Sequence, residues 1–301
     1  MNRRNFVRNI VASSTGVGLG IVPYDLFAFD DFVTISILHT NDLHSHIEPF
    51  IGSNEKYSGK GGLARIAEFS KKLKIENPNT LLLDAGDMFQ GTPYFNYFKG
   101  ELILKVMSAV GYDAGTIGNH EFDNGLEGIL APLPNAKFPI INSNYDFSNT
   151  ILFGKFPRWE ILKRSGIKIG LYGLGIDPKG LIQDKNFGQT ICLDAIGVAN
   201  EMESFLKNEM ECDLVICLSH LGYDTDDGVN DLILAGETSM TDLIIGGHTH
   251  TYLEDPIIQK NKVGKQVIVN QAWWGGLVMG KIDFVFERSK KRQKAIFSEK
   301  I

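Results

Sequence analysis

Residues 118–123, Gly-Asn-His-Glu-Phe-Asp, set an amide, an imidazole and two carboxylates within six positions. A solvated turn can carry such a run by chance, whereas a site that holds a metal and moves a proton requires it. The other histidines bear on the choice. The seven stand at 39, 44, 46, 120, 220, 248 and 250, and His44, His120, His220, His248 and His250 each fall just after a predicted strand. Asp42, Asp87 and Asn119 occupy the same kind of position. Imidazole, carboxylate and one amide oxygen form a borderline-hard donor set, suited to Zn²⁺, Mn²⁺ or Fe²⁺ and not to Cu⁺ or an iron–sulfur cluster. Asp42 and His44 are two residues apart, as are His248 and His250, so each pair can face one side of an extended loop. A lone His-x-His pair carries little weight, but here five loops agree.

Those loops need elements to hold them. Apolar runs at 33–39, where they are also β-branched, and at 80–87, 114–123, 213–220 and 241–250 each read as a short strand that ends in a polar loop. Amphipathic helices are predicted over 61–77, 100–113 and 194–210, the first closed by Pro78 and the second by Gly111. Residues 158–174 read as a hairpin turning at Arg-Ser-Gly. A further strand is predicted over 138–144, and the end of the chain to about Glu287 is β-rich. Strands alternating with helices, then hairpins, indicate an α/β protein with at least one mixed sheet. In such folds the carboxyl ends of strands are where sites are built.

Composition narrows the field. The chain of 301 residues, 43% hydrophobic, suits a globular protein of one large domain or two small ones, and no linker separates a second domain. A formal net charge of -6 argues against general nucleic-acid binding. It does not exclude an anionic substrate, because a bound cation dominates its local field. Cys192, Cys212 and Cys217 form no C-x-x-C; they read as small buried residues, with one disulfide left open. Residues 1–29 begin with Arg3 and Arg4 ahead of a weakly apolar, glycine-rich stretch. That pattern predicts an export signal of twin-arginine type, placing the protein in the periplasm or otherwise outside the cytoplasm. No segment reaches the length of a membrane span. The expected catalytic domain is 30–287, followed by a basic tail over 288–301.

In order, the chain carries D-x-H (Asp42, His44), G-D (Gly86, Asp87), G-N-H-E (118–121), His220 and G-H-x-H (247–250). This series resembles the calcineurin-like metallophosphoesterase superfamily. The strings "ILHTNDLHSH", "GGLARIA", "GNHEFDNG" and "GGHTH" look like its 5′-nucleotidase branch, over roughly 33–286. The resemblance implies a four-layer α/β/β/α sandwich of two mixed sheets. It further implies two divalent ions (Zn, Mn or Fe): one on Asp42, His44 and His250, the other on Asn119, His220 and His248, with Asp87 bridging. His120 would face the substrate phosphate, oriented by Asp123, and in-line attack by hydroxide generated between the ions would release phosphate. The substrate would be a small phosphorylated molecule, a nucleotide on resemblance, with Asn119, His120 and Gln271 on the substrate side. Position 90 is glutamine, where purple acid phosphatases place a metal-binding tyrosine.

Other residues have plainer readings. His39 is expected in the core and His46 beside the site. Glu121 pairs within its loop, and Trp273 and Trp274 either pack at an edge or line the cleft. Full-length 5′-nucleotidases carry a second domain that this sequence does not show. Two further expectations therefore stand: a general phosphatase or 2′,3′-cyclic-nucleotide phosphodiesterase with an open cleft, or a catalytic subunit completed by a separate protein. A non-enzymatic metal-binding subunit predicts loss of a motif residue, and none is lost.

Overall fold

Apolar side chains alternating with period two build two six-stranded sheets in the computed structural model, which describes residues 32–51, 56–226, 228–289 and 291–300. The expected export signal, 1–29, lies outside the described residues. In spatial order the first sheet comprises β14 (Arg292–Lys300), β13 (Gly280–Glu287), β1 (Phe32–Thr40), β2 (Thr80–Asp84), β3 (Ala114–Thr116) and β4 (Ile140–Ile141). The second comprises β11 (Ile257–Lys260), β12 (Gln266–Asn270), β10 (Leu243–Ile245), β9 (Leu214–His220), β7 (Ile167–Gly175) and β6 (Trp159–Arg164). A small ribbon pairs β5 (Tyr145–Asp146) with β8 (Ile191–Cys192). Both large sheets are mixed: β1 runs parallel to β2 and antiparallel to β13, and β12 parallel to β10 and antiparallel to β11.

The pleat sorts side chains into three apolar layers. Ile35 and Ile37 of β1, Leu81 and Leu83 of β2, and Leu214, Ile216 and Leu218 of β9 fill the space between the sheets. Their neighbours Leu38 and Leu82 point the other way, onto helices α1 (Leu63–Glu76) and α2 (Glu101–Val110). Val215 and Cys217 turn outward from the second sheet, against α3 (Ala195–Ser204) and α4 (Asp231–Glu237). The order is therefore helix, sheet, sheet, helix, the architecture that the resemblance implies.

The predicted helices are found with shorter ends. Gly111 stops α2 in a left-handed conformation, φ 88. The predicted hairpin turns at Ser165 and Gly166, φ 46 and 84. Two features differ from expectation. The 194–210 helix is α-helical only to Ser204 and continues as a wider π turn over Phe205–Glu209, which sets Leu206 into the core. The run read as a basic tail is not a free tail, since Arg292–Lys300 pairs antiparallel along β13. The pairing covers what would otherwise be an open sheet edge. His39 is a core residue as expected. It is buried, and burial lowers its pKa to about 3, so the ring is neutral. Its Nε2 meets the Asn270 amide at 2.9 Å, joining β1 of one sheet to β12 of the other.

Candidate metal centre

Five parallel strands, three from one sheet and two from the other, deliver the predicted ligands to one end of the sandwich. β1 leads to Asp42 and His44, β2 to Asp87 and β3 to Asn119; β9 ends on His220, and β10 leads to His248 and His250. The loops turn sharply, and Asp42, His44, Asp87, His248 and His250 have φ of 50, 48, 56, 71 and 49. Left-handed backbone at non-glycine residues is uncommon and costs about 1–3 kcal/mol each, and it clusters where function over-determines the chain.

Glycines make the approach feasible. A Cβ on Gly86 would meet Gly118 N at 2.7 Å and His220 Nδ1 at 2.9 Å, and one on Gly247 would meet His220 Nδ1 at 2.7 Å. A Cβ on Gly118 would strike the Asp87 carboxylate and stand 2.6 Å from His220 Nε2. The glycines of G-D, G-N-H and G-G-H are thus where backbone passes against ligand rings.

The side chains converge in two groups. Asp42, His44 and His250 each offer a ligand atom within 4.8 Å of the others, and so do Asp87, His220 and His248. Asn119 Oδ1 joins the second group, 2.8 Å from His248 Nδ1. The groups adjoin, since His220 Nε2 lies 3.9 Å from Asp42 Oδ1. Asp87 stands with the second group, 3.1 Å from His220 Nε2.

Donor chemistry tests whether a cation fits. His44 Nδ1 donates to the Gln90 carbonyl at 2.6 Å, which leaves Nε2 as the acceptor of a ring that burial holds neutral. That Nε2 faces His250 Nε2 at 2.9 Å, and His250 Nε2 faces Asp42 Oδ1 at 3.4 Å. His220 Nδ1 likewise donates to the Ala85 carbonyl at 2.7 Å, turning Nε2 onto the Asp87 carboxylate. Burial disfavours charge on both members of that pair, yet each holds the other ionised: Asp87 is kept below the usual carboxylate range and His220 is raised to about 10. Acceptors converging on acceptors, with the Nδ1 positions committed to carbonyls, are what a metal-ligating histidine presents. A cation would take the place of the shared proton. The residues fit two divalent ions.

Neighbouring groups hold this arrangement. Glu121 is buried, and its carboxylate accepts Gly118 N at 2.6 Å, Asp87 N at 3.0 Å, Met88 N at 2.7 Å and Phe89 N at 3.1 Å. It pairs within its own loop, as expected, and also clamps that loop to the one carrying Asp87. Burial, then the charge of Asp87, raises its pKa to about 7. Gln271 differs from expectation. It is 1% exposed, and its amide serves the 247–251 loop, donating to the Gly247 carbonyl at 2.5 Å and accepting the Thr249 hydroxyl at 3.1 Å. The side chain positions the G-H-T-H loop and, being buried, presents no surface to a substrate. Asn41 and Asp231 had no assigned role in the sequence. Asn41 bonds Asp42 and the 272–273 backbone. Asp231 accepts the Ser219 hydroxyl at 2.5 Å behind His220, and its N-terminal place in α4 after the N-cap Asn230 was the only available signal.

His120 stands at the open side. Its ring is 5.3 Å from that of His44, and its Nδ1 lies 2.8 Å from Asp123 Oδ2. The hydrogen bond to Asp123 outweighs burial and raises the His120 pKa to about 9. With Nδ1 engaged, Nε2 is the ring atom left for a further partner.

A family model for calcineurin-like phosphoesterases matches residues 35–252. The chain belongs to the calcineurin-like phosphoesterase family. Among its relatives is a snake venom 5′-nucleotidase of Naja atra, 32% identical over 87% of this chain and 52% of the relative. The crystal structure of a 5′-nucleotidase precursor from Thermus thermophilus superposes with a TM-score of 0.80 at 32% identity, covering 89% of this chain and 54% of that one. The calcineurin-like phosphoesterase YfkN of Bacillus subtilis superposes with a TM-score of 0.74 at 30% identity, covering 90% of each chain. The chain spans about half the length of the curated 5′-nucleotidases it matches. The fold, the motif order and the two ligand groups described above agree with membership.

Proposed function

We propose that this protein hydrolyses phosphate monoesters, nucleoside 5′-monophosphates among them, at a paired-metal centre. The observation that carries the reading is the pair of adjoining ligand groups, Asp42–His44–His250 and Asp87–His220–His248, with a proton-bearing His120 at their open side. Asp42, His44 and His250 would hold one ion. Asn119, His220 and His248 would hold the other, with Asp87 between them. Ions so held supply Lewis-acid polarisation of the phosphoryl oxygens and lower the pKa of water towards ~7.

The rest of the chemistry belongs to the chain. The clamped loops fix the ligands before substrate arrives, so little reorganisation is needed at the reacting atoms. Asp123 holds His120 by Nδ1 and keeps the ring charged. His120 Nε2 then points a proton at the phosphoryl group or the departing ester oxygen. Such general-acid help is worth roughly 10²–10⁴-fold. The need is large, because unaided monoester hydrolysis calls for accelerations of up to ~10²¹. The preference for nucleotides rests on the 5′-nucleotidase relatives.

Export belongs to the same proposal. It rests on Arg3 and Arg4 ahead of an apolar run.

The test is a substrate panel with Mn²⁺ or Zn²⁺: nucleoside 5′-monophosphates, 2′,3′-cyclic nucleotides and p-nitrophenyl phosphate. Turnover of 5′-monophosphates above the other esters is expected. Metal-loaded protein inert towards every member of the panel contradicts the reading.

A further inference from the structure

One lip of the centre is aromatic. After β12 the chain turns through Trp273 and Trp274, two of its three tryptophans, and this turn is tied to the ligand loops. Gly275 N donates to the Asp42 carbonyl at 2.7 Å, and Asn41 Nδ2 donates to the Trp273 carbonyl at 2.5 Å. Trp273 N donates to the Thr251 carbonyl, next to His250, at 3.1 Å. The Trp274 ring lies nearly parallel to the His250 imidazole, 12° apart with centroids 5.8 Å distant. His46 and Phe50 brace Trp274 at near-right angles, 5.4 and 5.0 Å away. Trp273 adjoins Tyr57 and Tyr252 at 5.5 and 5.3 Å.

Core packing is not the only constraint on this turn. Both indoles are only part-buried. Trp273 also has φ 62, a left-handed conformation that is a genuine outlier for a bulky residue. The Lys56 ammonium stands over the rings of Trp273 and Tyr57, 5.7 and 5.1 Å from their centroids. Lys56 is exposed, and such a cation–π contact is worth less than the stacked base that would displace it. Strain locked in place by ligand-loop hydrogen bonds points to a use at the site. A ring face offers stacking to any base, whereas a bare sugar phosphate has nothing flat to place there.

We propose that Trp273 and Trp274 form a stacking ledge, carried by the catalytic domain itself, that receives the planar base of a nucleotide whose phosphate lies at the metal ligands. The ledge rests on the phosphoesterase reading for the ester it would help select, but its affinity for a free nucleoside does not. It begins one ring away from His250, so a base can reach it across a single ribose.

The test uses the full chain and two readouts. Adenosine, which carries no phosphate, is expected to quench the indole fluorescence of the protein and of Trp159→Phe, but much less in the double variant Trp273→Leu/Trp274→Leu. In kinetics, the ratio of kcat/KM for AMP to that for ribose 5-phosphate should fall about 5- to 150-fold in the double variant, the value of one stacked base. Trp273→Phe/Trp274→Phe, which keeps flat rings, should restore most of the ratio, an outcome that a merely structural role would not produce. An unchanged ratio in the leucine variant, or no quenching by adenosine in the parent protein, overturns the ledge. Quenching in a protein that hydrolyses neither ester would overturn the phosphatase reading and leave the ledge standing.

Discussion

Replacing Glu121 with glutamine removes one charge and half of a clamp. Oε2 accepts Gly118 N and Asp87 N, and Oε1 accepts Met88 N and Phe89 N. A glutamine amide accepts at one end only. Whichever way it is turned, its NH₂ faces two buried N–H groups that lose their acceptor. Each lost hydrogen bond to a charged group is worth about 1.5–3 kcal/mol, so the gross loss is about 3–6 kcal/mol. Part is returned, because the wild-type carboxyl is itself buried at a cost, visible in a pKa raised to about 7. We expect a net destabilisation of about 2–3 kcal/mol in urea unfolding of the metal-free protein. The function should suffer more than the fold, since the clamp joins the loop of Asp87 to that of Asn119. Loss of such a supporting residue typically weakens metal affinity ~10–100-fold, which calorimetric titration with Zn²⁺ or Mn²⁺ would read. A Glu121→Gln protein within about 0.5 kcal/mol of wild type and with unaltered metal affinity would refute the clamp.

Other outcomes follow from the same geometry. His120→Asn should retain its metal, measured by elemental analysis, and lose roughly 10²–10⁴-fold in kcat. Asp123→Asn removes the main cause of the raised His120 pKa, so the alkaline limb of the pH–rate profile should move towards lower pH. A limb that stays in place would exclude the dyad. Gly118→Ala puts a methyl against Asp87 and His220 and should abolish binding at the second ligand group, seen as loss of one ion per chain. Asp231 carries a folded pKa of about 8, against an ordinary value of 3.8, through burial. Its folded form therefore binds the proton more tightly than the unfolded one, and its contribution to stability falls as pH rises from 3.8 to about 8. Asp231→Asn escapes that loss. Unfolding of the two metal-free proteins at pH 5 and pH 8 should show the variant gaining relative to wild type at the higher pH.

Much of the centre was legible because its ligands have distinctive chemistry and sit where strands end. The strands β1, β2, β9 and β10 announce themselves by apolar runs, and each leads directly to a candidate ligand. The layer order was not legible from periodicity, since Leu82 and Leu83 look alike in the chain yet face different layers. The supporting residues were also hidden. Glu121, Asn41 and Gln271 act through hydrogen bonds to backbone far away in sequence, and no local pattern distinguishes a carboxylate that clamps from one that ligates. Gln271 shows the risk: lying beside the site in the chain, it reads as a substrate contact, whereas its buried amide braces the G-H-T-H loop. Arg292–Lys300 misled for a related reason. Its charge reads as solvated tail, and only the open edge of β13 explains the strand.

The most direct measurement is the number of divalent ions per chain, by native mass spectrometry of protein loaded with Zn²⁺ or Mn²⁺ and freed of excess metal. Two ions in the wild type, and fewer in Asp87→Asn together with near-complete loss of monoester hydrolysis, is the predicted result. One ion or none in an active, folded wild-type protein would contradict a paired-metal centre.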